Sequence, residues 1–371
     1  MTSSQTMQER AIFKASLRRL LLGKRVGFSF RLTLVRQDSG VANNYCLVYL
    51  RNGARSIRSL AEAETFHPVI GPAIEAEALY VRQLRLPERV QATPDEFVIW
   101  DIGLGAAANA LTAIRLIRES LRGKPACLRL ISFDLTSAAA AFALEHGAEL
   151  GYVAGYESAL AELVKKRSVK FSDESLQVEW TLEIGDFPAW LVKTVAAGIL
   201  PAVESGVPPG GKVVGNTARA ENSSASPGGR MPPSTAGGTP AATPPPHAIL
   251  FDPHSPKKNP GMWTVSLFAG LFRHLDPDRP CALATYTRST LARVAMLLGG
   301  FFVGVGHPSG LKEETTVAAN RIELLDEPLD RRWLERARSS HSAEPLNGPF
   351  YRQAPLSPEI QEQLQQHPQF T

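Results

Sequence analysis

Four aspartates lie at or just beyond the ends of apolar, strand-like runs, where their carboxylates could bind a nucleoside or orient a reacting group. They are Asp101, Asp134, Asp186 and Asp252. A carboxylate has two acceptor oxygens, so Asp134 could hold both hydroxyls of a ribose, and Asp186 could accept an amino hydrogen of adenine. Simpler roles are also open, because Asp134 could cap the following helix and Asp186 could form a turn.

The turn after Asp101 carries the second chemical signal. Residues 97–100 are apolar, and Gly103 and Gly105 then let the backbone turn sharply and approach a ligand. Apolar residues recur at helical spacing over residues 110–121, so the sequence predicts a strand, a turn and a helix. Such a unit places helix amides beside the end of a strand, where α/β sheets bind ligands.

The small residues of this turn fit two cofactors, NAD and S-adenosylmethionine (SAM). They also fit an ordinary connection between a strand and a helix that binds nothing. NAD sites have the spacing Gly-x-Gly-x-x-Gly with an acid after the second strand, whereas SAM sites commonly have the acid first. Here Asp101 precedes the glycines and Asn109 follows them, which favours SAM. The predicted cofactor residues are Asp101, Gly103, Gly105, Asn109, Asp134 and Asp186.

The composition indicates a globular protein of one large or two small domains. The chain has 371 residues, 44% of them hydrophobic, and a formal net charge of +4, a modest basicity compatible with a polyanionic partner. Its three cysteines, Cys46, Cys127 and Cys281, show no metal or disulfide spacing, which fits a reducing compartment. The sequence shows no signal peptide and no membrane span, so we expect a cytoplasmic protein.

Changes in composition divide the chain into four segments. Residues 201–246 are rich in Pro, Gly, Ser, Thr and Ala and cannot bury enough apolar surface to fold, so they are predicted to form a disordered insertion. Strand-like runs resume beyond the insertion, which is therefore not a domain boundary. The segments are a basic lead (1–26), a module of β-hairpin and helix (27–90), an α/β domain that contains the insertion (91–325) and a peripheral tail (326–371).

Local signals define the small module. Asn52 and Gly53 suit the tight turn of a hairpin, with β-rich runs predicted before it at residues 28–35 and 44–50 and a further short run after it. The helical spacing that follows places Glu75 and Glu77 on an expected solvent-exposed face.

The α/β domain is predicted to be Rossmann-like. Strands and helices alternate through it, and its last two of seven strand-like runs are joined by a short connection containing Gly and Pro, which indicates an antiparallel final strand. Seven strands with this ending are typical of a class I SAM-dependent methyltransferase, whereas NAD-binding domains have six parallel strands. The predicted fold is therefore α/β, class I methyltransferase, preceded by a small β-rich module.

The loop after the fourth strand of this domain resembles that of a known family. From Asp252 to Trp263 it reads DPHSPKKNPGMW, which is similar to the pattern Asp-x-Phe-x-Pro-x-Lys/Arg-Asn-Pro-x-Met-Trp of the MnmC-like methyltransferases. Those form the methyltransferase half of the bifunctional enzyme that makes 5-methylaminomethyl-2-thiouridine at the tRNA wobble position. The resemblance covers residues 28–320 apart from the insertion, and it includes the other aspartates, Thr285 and Thr287.

The resemblance implies a SAM-dependent N-methyltransferase that acts on the aminomethyl group of a modified tRNA uridine. Asp252 is then expected to orient the amine and take up its proton, with His254 as a second catalytic candidate. We expect the protein to lack the FAD-dependent oxidase half, so that a separate oxidase or another enzyme supplies the aminomethyl precursor. No metal is expected. The candidates for substrate binding are Lys257 and Lys258 against phosphates, Asn259, and Trp263 against a base or as an anchor of the next helix.

Two residues depart from the family pattern. Ala107 stands where a third glycine is usual, and its methyl group could crowd the methionine end of SAM. His254 stands where Phe is usual and adds a group that can act as a base near neutral pH. Two other functions therefore stay open: a non-catalytic Rossmann-like binding protein, and a SAM-dependent methyltransferase with a small-molecule or protein substrate.

Overall fold

The computed structural model of the protein describes residues 44–199, 243–309 and 313–371. The basic lead, the strand predicted at 28–35 and all but the last four residues of the predicted insertion lie outside these ranges.

Three short strands form a small antiparallel sheet at the start of the described chain. β1 (Tyr45–Tyr49) pairs with β2 (Arg55–Ser59), and β2 pairs with β3 (Glu64–Thr65). The hairpin between β1 and β2 turns at Gly53, whose φ is 84°, a left-handed conformation that glycine adopts without strain. The hairpin predicted from the sequence is confirmed.

A helical segment follows the small sheet. It consists of α1 (Pro72–Ala76), a π-helical turn (Glu77–Arg82) and α2 (Leu86–Ala92). The expectation that Glu75 lies on an exposed helix face is wrong, because Glu75 is only 6% exposed. One of its carboxylate oxygens accepts a 3.0 Å hydrogen bond from the hydroxyl of Ser309, so this side of α1 faces protein rather than solvent.

The main sheet has eight strands in the order β10-β11-β9-β8-β4-β5-β7-β6. β11 is antiparallel to both of its neighbours, and the class I methyltransferase fold predicted from the sequence is confirmed. The strands are β4 (Glu96–Ile102), β5 (Ala126–Asp134), β6 (Ser168–Asp173), β7 (Leu176–Ile184), β8 (Ala248–Phe251), β9 (Ala282–Thr285), β10 (Phe302–Gly306) and β11 (Thr315–Ala319).

The sequence prediction missed one strand of this sheet. β6 forms an antiparallel hairpin with β7 at the sheet edge. Ser168, Lys170 and Ser172 alternate toward solvent along it, so the strand lacks the apolar run that marks the central strands.

Helices cover both faces of the sheet. Residues of β4 alternate between two core clusters, with Phe97 and Ile99 in one and Val98 and Trp100 in the other, so the strand is apolar throughout. No helix in the described ranges is long and apolar enough to cross a membrane. The remaining helices are α3 (Ala108–Leu121), α4 (Ala138–Glu145), α5 (Gly147–Leu150), α6 (Glu157–Lys166), α7 (Phe187–Ile199), α8 (Val265–Arg273), α9 (Thr290–Leu298), α10 (Arg331–Arg338) and α11 (Pro358–Gln365), with 3-10 turns at Pro260–Trp263 and Ile322–Leu324.

The C-terminal residues are not peripheral, which corrects the sequence prediction for 326–371. Trp333, Leu364 and Phe370 are buried in the second core cluster. The side-chain amide of Gln369 also bonds the backbone N–H and carbonyl of Val303 in β10, both at 2.7 Å. The charged composition concealed this packing because the apolar face of α10 is narrow and its other positions are mostly arginine and glutamate.

Candidate active site

The glycine turn after β4 couples the ends of the two neighbouring strands. Gly103 has a φ of 96°, and a Cβ atom there would lie 2.6 Å from the carbonyl oxygen of Asp252 after β8. Gly105 has a φ of 52°, and its amide donates a 2.8 Å hydrogen bond to Oδ2 of Asp134 at the end of β5. A side chain at position 103 would therefore push the turn away from the loop that carries Asp252.

Asp101 lies inside the protein, at the end of β4. Its side chain has no exposed surface, and its Oδ2 accepts a 2.8 Å hydrogen bond from the hydroxyl of Ser132, which itself accepts one from the indole of Trp180. Burial raises the pKa of Asp101 to about 7, although the Ser132 hydrogen bond opposes the rise. The predicted direct contact with a cofactor is corrected: the buried carboxylate supports the strand ends instead.

Asp134 and Asp186 lie at the ends of β5 and β7, as predicted. Oδ1 of Asp134 accepts a hydrogen bond from the amide of Thr136, in addition to the one that Oδ2 accepts from Gly105. Asp134 is still partly exposed. Asp186 is exposed, and its Oδ2 accepts a 3.0 Å hydrogen bond from the amide of Ala189 in the first turn of α7. The turn-forming role of Asp186 is confirmed, while the nucleoside contacts of both residues stay predictions.

Ala107 ends the turn in a left-handed conformation. Its φ is 62°, and it is the residue before α3. The residue has no exposed surface and belongs to the main core cluster. Its methyl group therefore packs inside the protein and does not line the open face of the turn, where the sequence prediction expected it to crowd a cofactor.

Asp252 is the acid that the fold holds beside the turn. Its Oδ2 accepts a 2.7 Å hydrogen bond from the side-chain amide of Asn109, in the first turn of α3. The Asp252 side chain is 19% exposed. Burial raises its pKa, while the nearby His67 and the Asn109 hydrogen bond lower it. Asn109 is 3% exposed, so the predicted direct cofactor contact of its side chain is corrected to positioning of Asp252.

The sequence of the second half of the chain matches a known family. Residues 242–321, which include β8, the Asp252 loop, β9 and β11, match the family described as S-adenosyl-L-methionine-dependent methyltransferase. Over this segment the chain is similar to SAM-dependent methyltransferases. No curated protein matches it.

One solved structure supports the same fold, and others match it less well. The crystal structure of MNMC2 from Aquifex aeolicus has a TM-score of 0.54 and 18% identity, and the match covers 83% of this chain and 80% of that chain. A SAM-dependent methyltransferase from Agrobacterium tumefaciens matches with a TM-score of 0.33 and 11% identity over 76% of this chain and 72% of its own. The family match and the fold confirm the resemblance to MnmC-like methyltransferases.

SAM is the cofactor of the family, and the turn of this methyltransferase fits it. The close approach of Gly103 and the left-handed Gly105 keep the turn free of side chains. Asp134 offers a partly exposed carboxylate at the next strand end, and α3 starts at the same place with its unpaired amides. Bound SAM supplies an electrophilic methyl group on a sulfonium.

The N-terminal module completes the site in a way that the sequence prediction missed. Nε2 of His67 lies 4.0 Å from Oδ2 of Asp252, and Nδ1 of the same ring lies 3.9 Å from Oε2 of Glu75. Burial raises the pKa of Tyr80 well above its ordinary value, and the negative charge of the nearby Asp252 carboxylate raises it further. The available signal was the set of Glu64, His67 and Glu75 between the hairpin and α1, which lay outside the predicted domain.

The same module holds the loop after β8. Nδ1 of His254 lies 3.0 Å from Oε2 of Glu64 in β3, and the hydroxyl of Ser255 donates a 2.8 Å hydrogen bond to the other oxygen of that carboxylate. The His254 ring also packs on Phe66, with ring centroids 6.1 Å apart. Its catalytic role stays a prediction, and the structure pairs it with Glu64.

The predicted substrate residues divide into one buried anchor and an exposed group. Trp263 has no exposed surface, and its indole donates a 2.9 Å hydrogen bond to the carbonyl of His254, so the prediction that it could stack on a base is wrong and it anchors the loop. Lys257 and Lys258 are exposed at the tip of the loop, and Asn259 is partly exposed before the 3-10 turn.

Proposed function

We propose that this methyltransferase transfers the methyl group of SAM to the primary amine of a modified uridine at the wobble position of tRNA. The observation that carries the proposal is the 2.7 Å hydrogen bond between Asn109 and Asp252. It fixes a partly exposed carboxylate against the helix that follows the cofactor turn. A carboxylate in that place can hold an amine nitrogen in line with a methyl donor.

The charge around Asp252 supports an amine as the acceptor. Burial raises the pKa of Tyr286 well above its ordinary value. The negative charges of Asp252, Glu64 and Glu75 raise it further, so all three carboxylates lie within interaction range of this hydroxyl. Three carboxylates within interaction range of one side chain favour a cationic group over a neutral or anionic one. An aminomethyl group is an ammonium ion near neutral pH and fits this environment.

The nucleic-acid part of the proposal is supported by the resemblance to the MnmC-like methyltransferases and by the loop tip. Lys257 and Lys258 are exposed and follow Asp252 closely, so both could contact phosphates beside a uridine that reaches the site. A separate oxidase, or another enzyme that makes aminomethyl groups, would supply the substrate. We expect these proteins to meet tRNA in the cytoplasm.

The test is methyl transfer from labelled SAM to tRNA isolated from cells that lack this modification step, so that free aminomethyl groups are present. The expected product is a monomethylated amine on the wobble uridine, identified by nuclease digestion and mass spectrometry. The matched control is the same tRNA after acetylation of its primary amines, which should accept no label. Label in small amines or proteins but not in tRNA would favour a different acceptor, and no SAM binding in calorimetry would favour a non-catalytic binding protein.

A further inference from the structure

We propose that His67 is a catalytic residue that accepts the proton of the amine which Asp252 orients. This inference rests on the proposed function and assigns a chemical role to the N-terminal module. The histidine lies outside the region of the family match and in the predicted module of hairpin and helix (27–90) rather than in the predicted α/β domain.

His67 stands between two carboxylates, at distances that leave room for a ligand. Nδ1 lies 3.9 Å from Glu75 and Nε2 lies 4.0 Å from Asp252, and both distances exceed a normal hydrogen bond. An amine nitrogen beside the line from Nε2 to Oδ2 of Asp252 can lie about 2.8 Å from both atoms at once, which is hydrogen-bond length. The amine would therefore complete contacts that the protein alone leaves open.

The backbone indicates that this placement is held by the surrounding structure. His67 has a φ of 45°, in the left-handed region that side chains other than glycine seldom adopt, and it precedes Pro68. Its side chain is 11% exposed. Within the described ranges its ring makes no hydrogen bond, only the two longer contacts with carboxylates. Strained residues of this kind cluster at functional sites.

Glu75 decides which ring nitrogen is the acceptor. Oε1 of this buried carboxylate accepts the Ser309 hydrogen bond, and Oε2, which faces Nδ1 of His67, has no hydrogen-bond partner among the described residues. A hydrogen on Nδ1 directed at Glu75 leaves the lone pair on Nε2, toward Asp252 and the amine. The other ionisable groups that face this pair are Tyr80 and Tyr286, both of which stay protonated because their pKa values are raised.

The proton balance is simple. One N–H bond of the ammonium ion breaks, its proton goes to Nε2 of His67, and the electron pair stays on nitrogen. That pair forms the N–C bond to the methyl group while the C–S bond breaks and its pair goes to sulfur. The product is the methylated ammonium ion, and His67 returns its proton to solvent. Asp252 keeps its negative charge throughout and holds the nitrogen.

His254 is less suited to this step. Its Nδ1 already lies 3.0 Å from Glu64, and its charge acts on Asp134 in the predicted cofactor site rather than on Asp252. The two histidines thus face different carboxylates. A comparison of their variants separates the roles.

The experiment measures kcat, KM for tRNA and SAM affinity for the wild type, His67→Gln, His67→Ala and the control His341→Gln, which alters an exposed histidine. For His67→Gln we expect kcat to fall about 10²- to 10⁴-fold, the range of general base catalysis. SAM affinity by calorimetry and KM for tRNA should change less than about threefold, because the ring contacts only the amine of the tRNA and Asp252 still holds that amine. His341→Gln should behave as the wild type.

Two further measurements separate catalysis from structure. The decline of wild-type kcat at low pH should become shallower in the residual rate of His67→Gln, where only the part that comes from Asp252 remains. Added imidazole should restore part of the rate of His67→Ala in proportion to its unprotonated fraction. If the wild type methylates tRNA and His67→Gln keeps more than about a third of its kcat, or imidazole restores nothing, the proton-acceptor role is overturned while the proposed function stands. A wild type that methylates no amine-bearing tRNA overturns both.

Discussion

The side-chain amide of Asn109 donates a 2.7 Å hydrogen bond to Asp252 across 143 residues of sequence. Asn109 belongs to the helix after the cofactor turn, and Asp252 follows a different strand. The contact therefore fixes the predicted catalytic acid relative to the helix that starts at the cofactor turn. Placement of this kind can contribute to the rate without any change in substrate affinity.

Replacement of Asp252 should separate chemistry from cofactor binding. We expect Asp252→Ala to abolish methyl transfer, a loss of at least about 10³-fold, because the amine loses the carboxylate that orients it. SAM binding in calorimetry should stay within about threefold of the wild type, since Gly105 and Asp134 are unchanged. Asp252→Asn, which can still accept the Asn109 hydrogen bond, should be folded but inactive. Full activity in either variant would remove Asp252 from the mechanism.

The turn offers a matched pair of substitutions with opposite outcomes. A side chain at Gly103 would meet the backbone of Asp252 at 2.6 Å, so Gly103→Ala should lower SAM affinity at least tenfold and destabilise the fold by more than about 2 kcal/mol. Ala107→Gly should change SAM affinity less than twofold, because the methyl group is fully buried. Its stability should change by no more than about 1 kcal/mol, since relief of the left-handed strain offsets the added chain entropy and the lost methyl contacts.

SAM titration by calorimetry and urea unfolding of both variants check these values. Tighter SAM binding by Ala107→Gly would restore the view that the methyl group crowds the cofactor. Normal SAM binding by Gly103→Ala would show that the turn can move away from the Asp252 loop at little cost.

The sequence predicts the central strands and the glycine turn because these follow from strong local patterns. Buried parallel strands are apolar on both faces, and each of the four aspartates lies at or just beyond the end of one. β6 escapes prediction because an edge strand in a hairpin needs an apolar residue only at every second position. α10 is missed for a similar reason, because only a narrow face of this helix is apolar.

The site was predicted only in part, because no local sequence pattern shows which residues far apart in the chain come together in the fold. Asp101 and Trp263 have residue types that suit ligand binding, yet both have no exposed surface. His67 reaches Asp252 from the small N-terminal module, and Glu75 reaches His67. These ionisable residues are visible in the sequence, but the sequence does not show which residue they contact. Conversely, Glu75 looks like a surface residue until the packing of α1 is known.

Asp134 and Asp186 should respond differently to loss of their carboxylates. We expect Asp134→Ala to weaken SAM binding by about 10- to 100-fold, the value of one or two charge-assisted hydrogen bonds to a ribose. Asp186→Asn keeps an acceptor for the amide of Ala189, so its stability should be unchanged. Calorimetry then shows whether Asp186 also contacts the nucleoside, because we expect the SAM affinity of Asp186→Asn to fall while its stability stays unchanged. Unchanged SAM affinity in Asp134→Ala would show that β5 does not hold the ribose.

The two lysines at the loop tip should act on tRNA and not on SAM. The double variant Lys257→Glu with Lys258→Glu should weaken tRNA binding at least tenfold. The slope of log K against log salt concentration should become less steep by about one to two, as expected when phosphate contacts are lost. SAM affinity should stay the same. A charge-matched control, Lys124→Glu with Lys165→Glu, changes two other exposed lysines. Equal weakening in both double variants would indicate net charge rather than a specific contact.

The buried Asp101 should make stability fall as pH rises. Its pKa in the folded protein is about 7, against 3.8 for the free side chain, so the folded state binds the proton more tightly than the unfolded state between these values. Within that window the free energy of unfolding falls by up to about 1.4 kcal/mol for each unit that the pH rises. The stabilisation that protonated Asp101 contributes is complete only below about pH 4. Asp101→Asn, which mimics the protonated form, should remove this part of the slope.

Urea unfolding of the wild type and Asp101→Asn between pH 4.5 and 7.5 measures the difference directly. Asp134 and Asp252 also have raised pKa values and contribute a slope of the same sign, but that contribution is present in both proteins and cancels in the comparison. The variant should therefore gain stability relative to the wild type steadily from pH 4.5 to 7. Asp186→Asn, which alters an exposed aspartate, serves as the control and should follow the wild-type curve. Parallel curves for the wild type and Asp101→Asn would mean that Asp101 is ionised in the folded protein across this range.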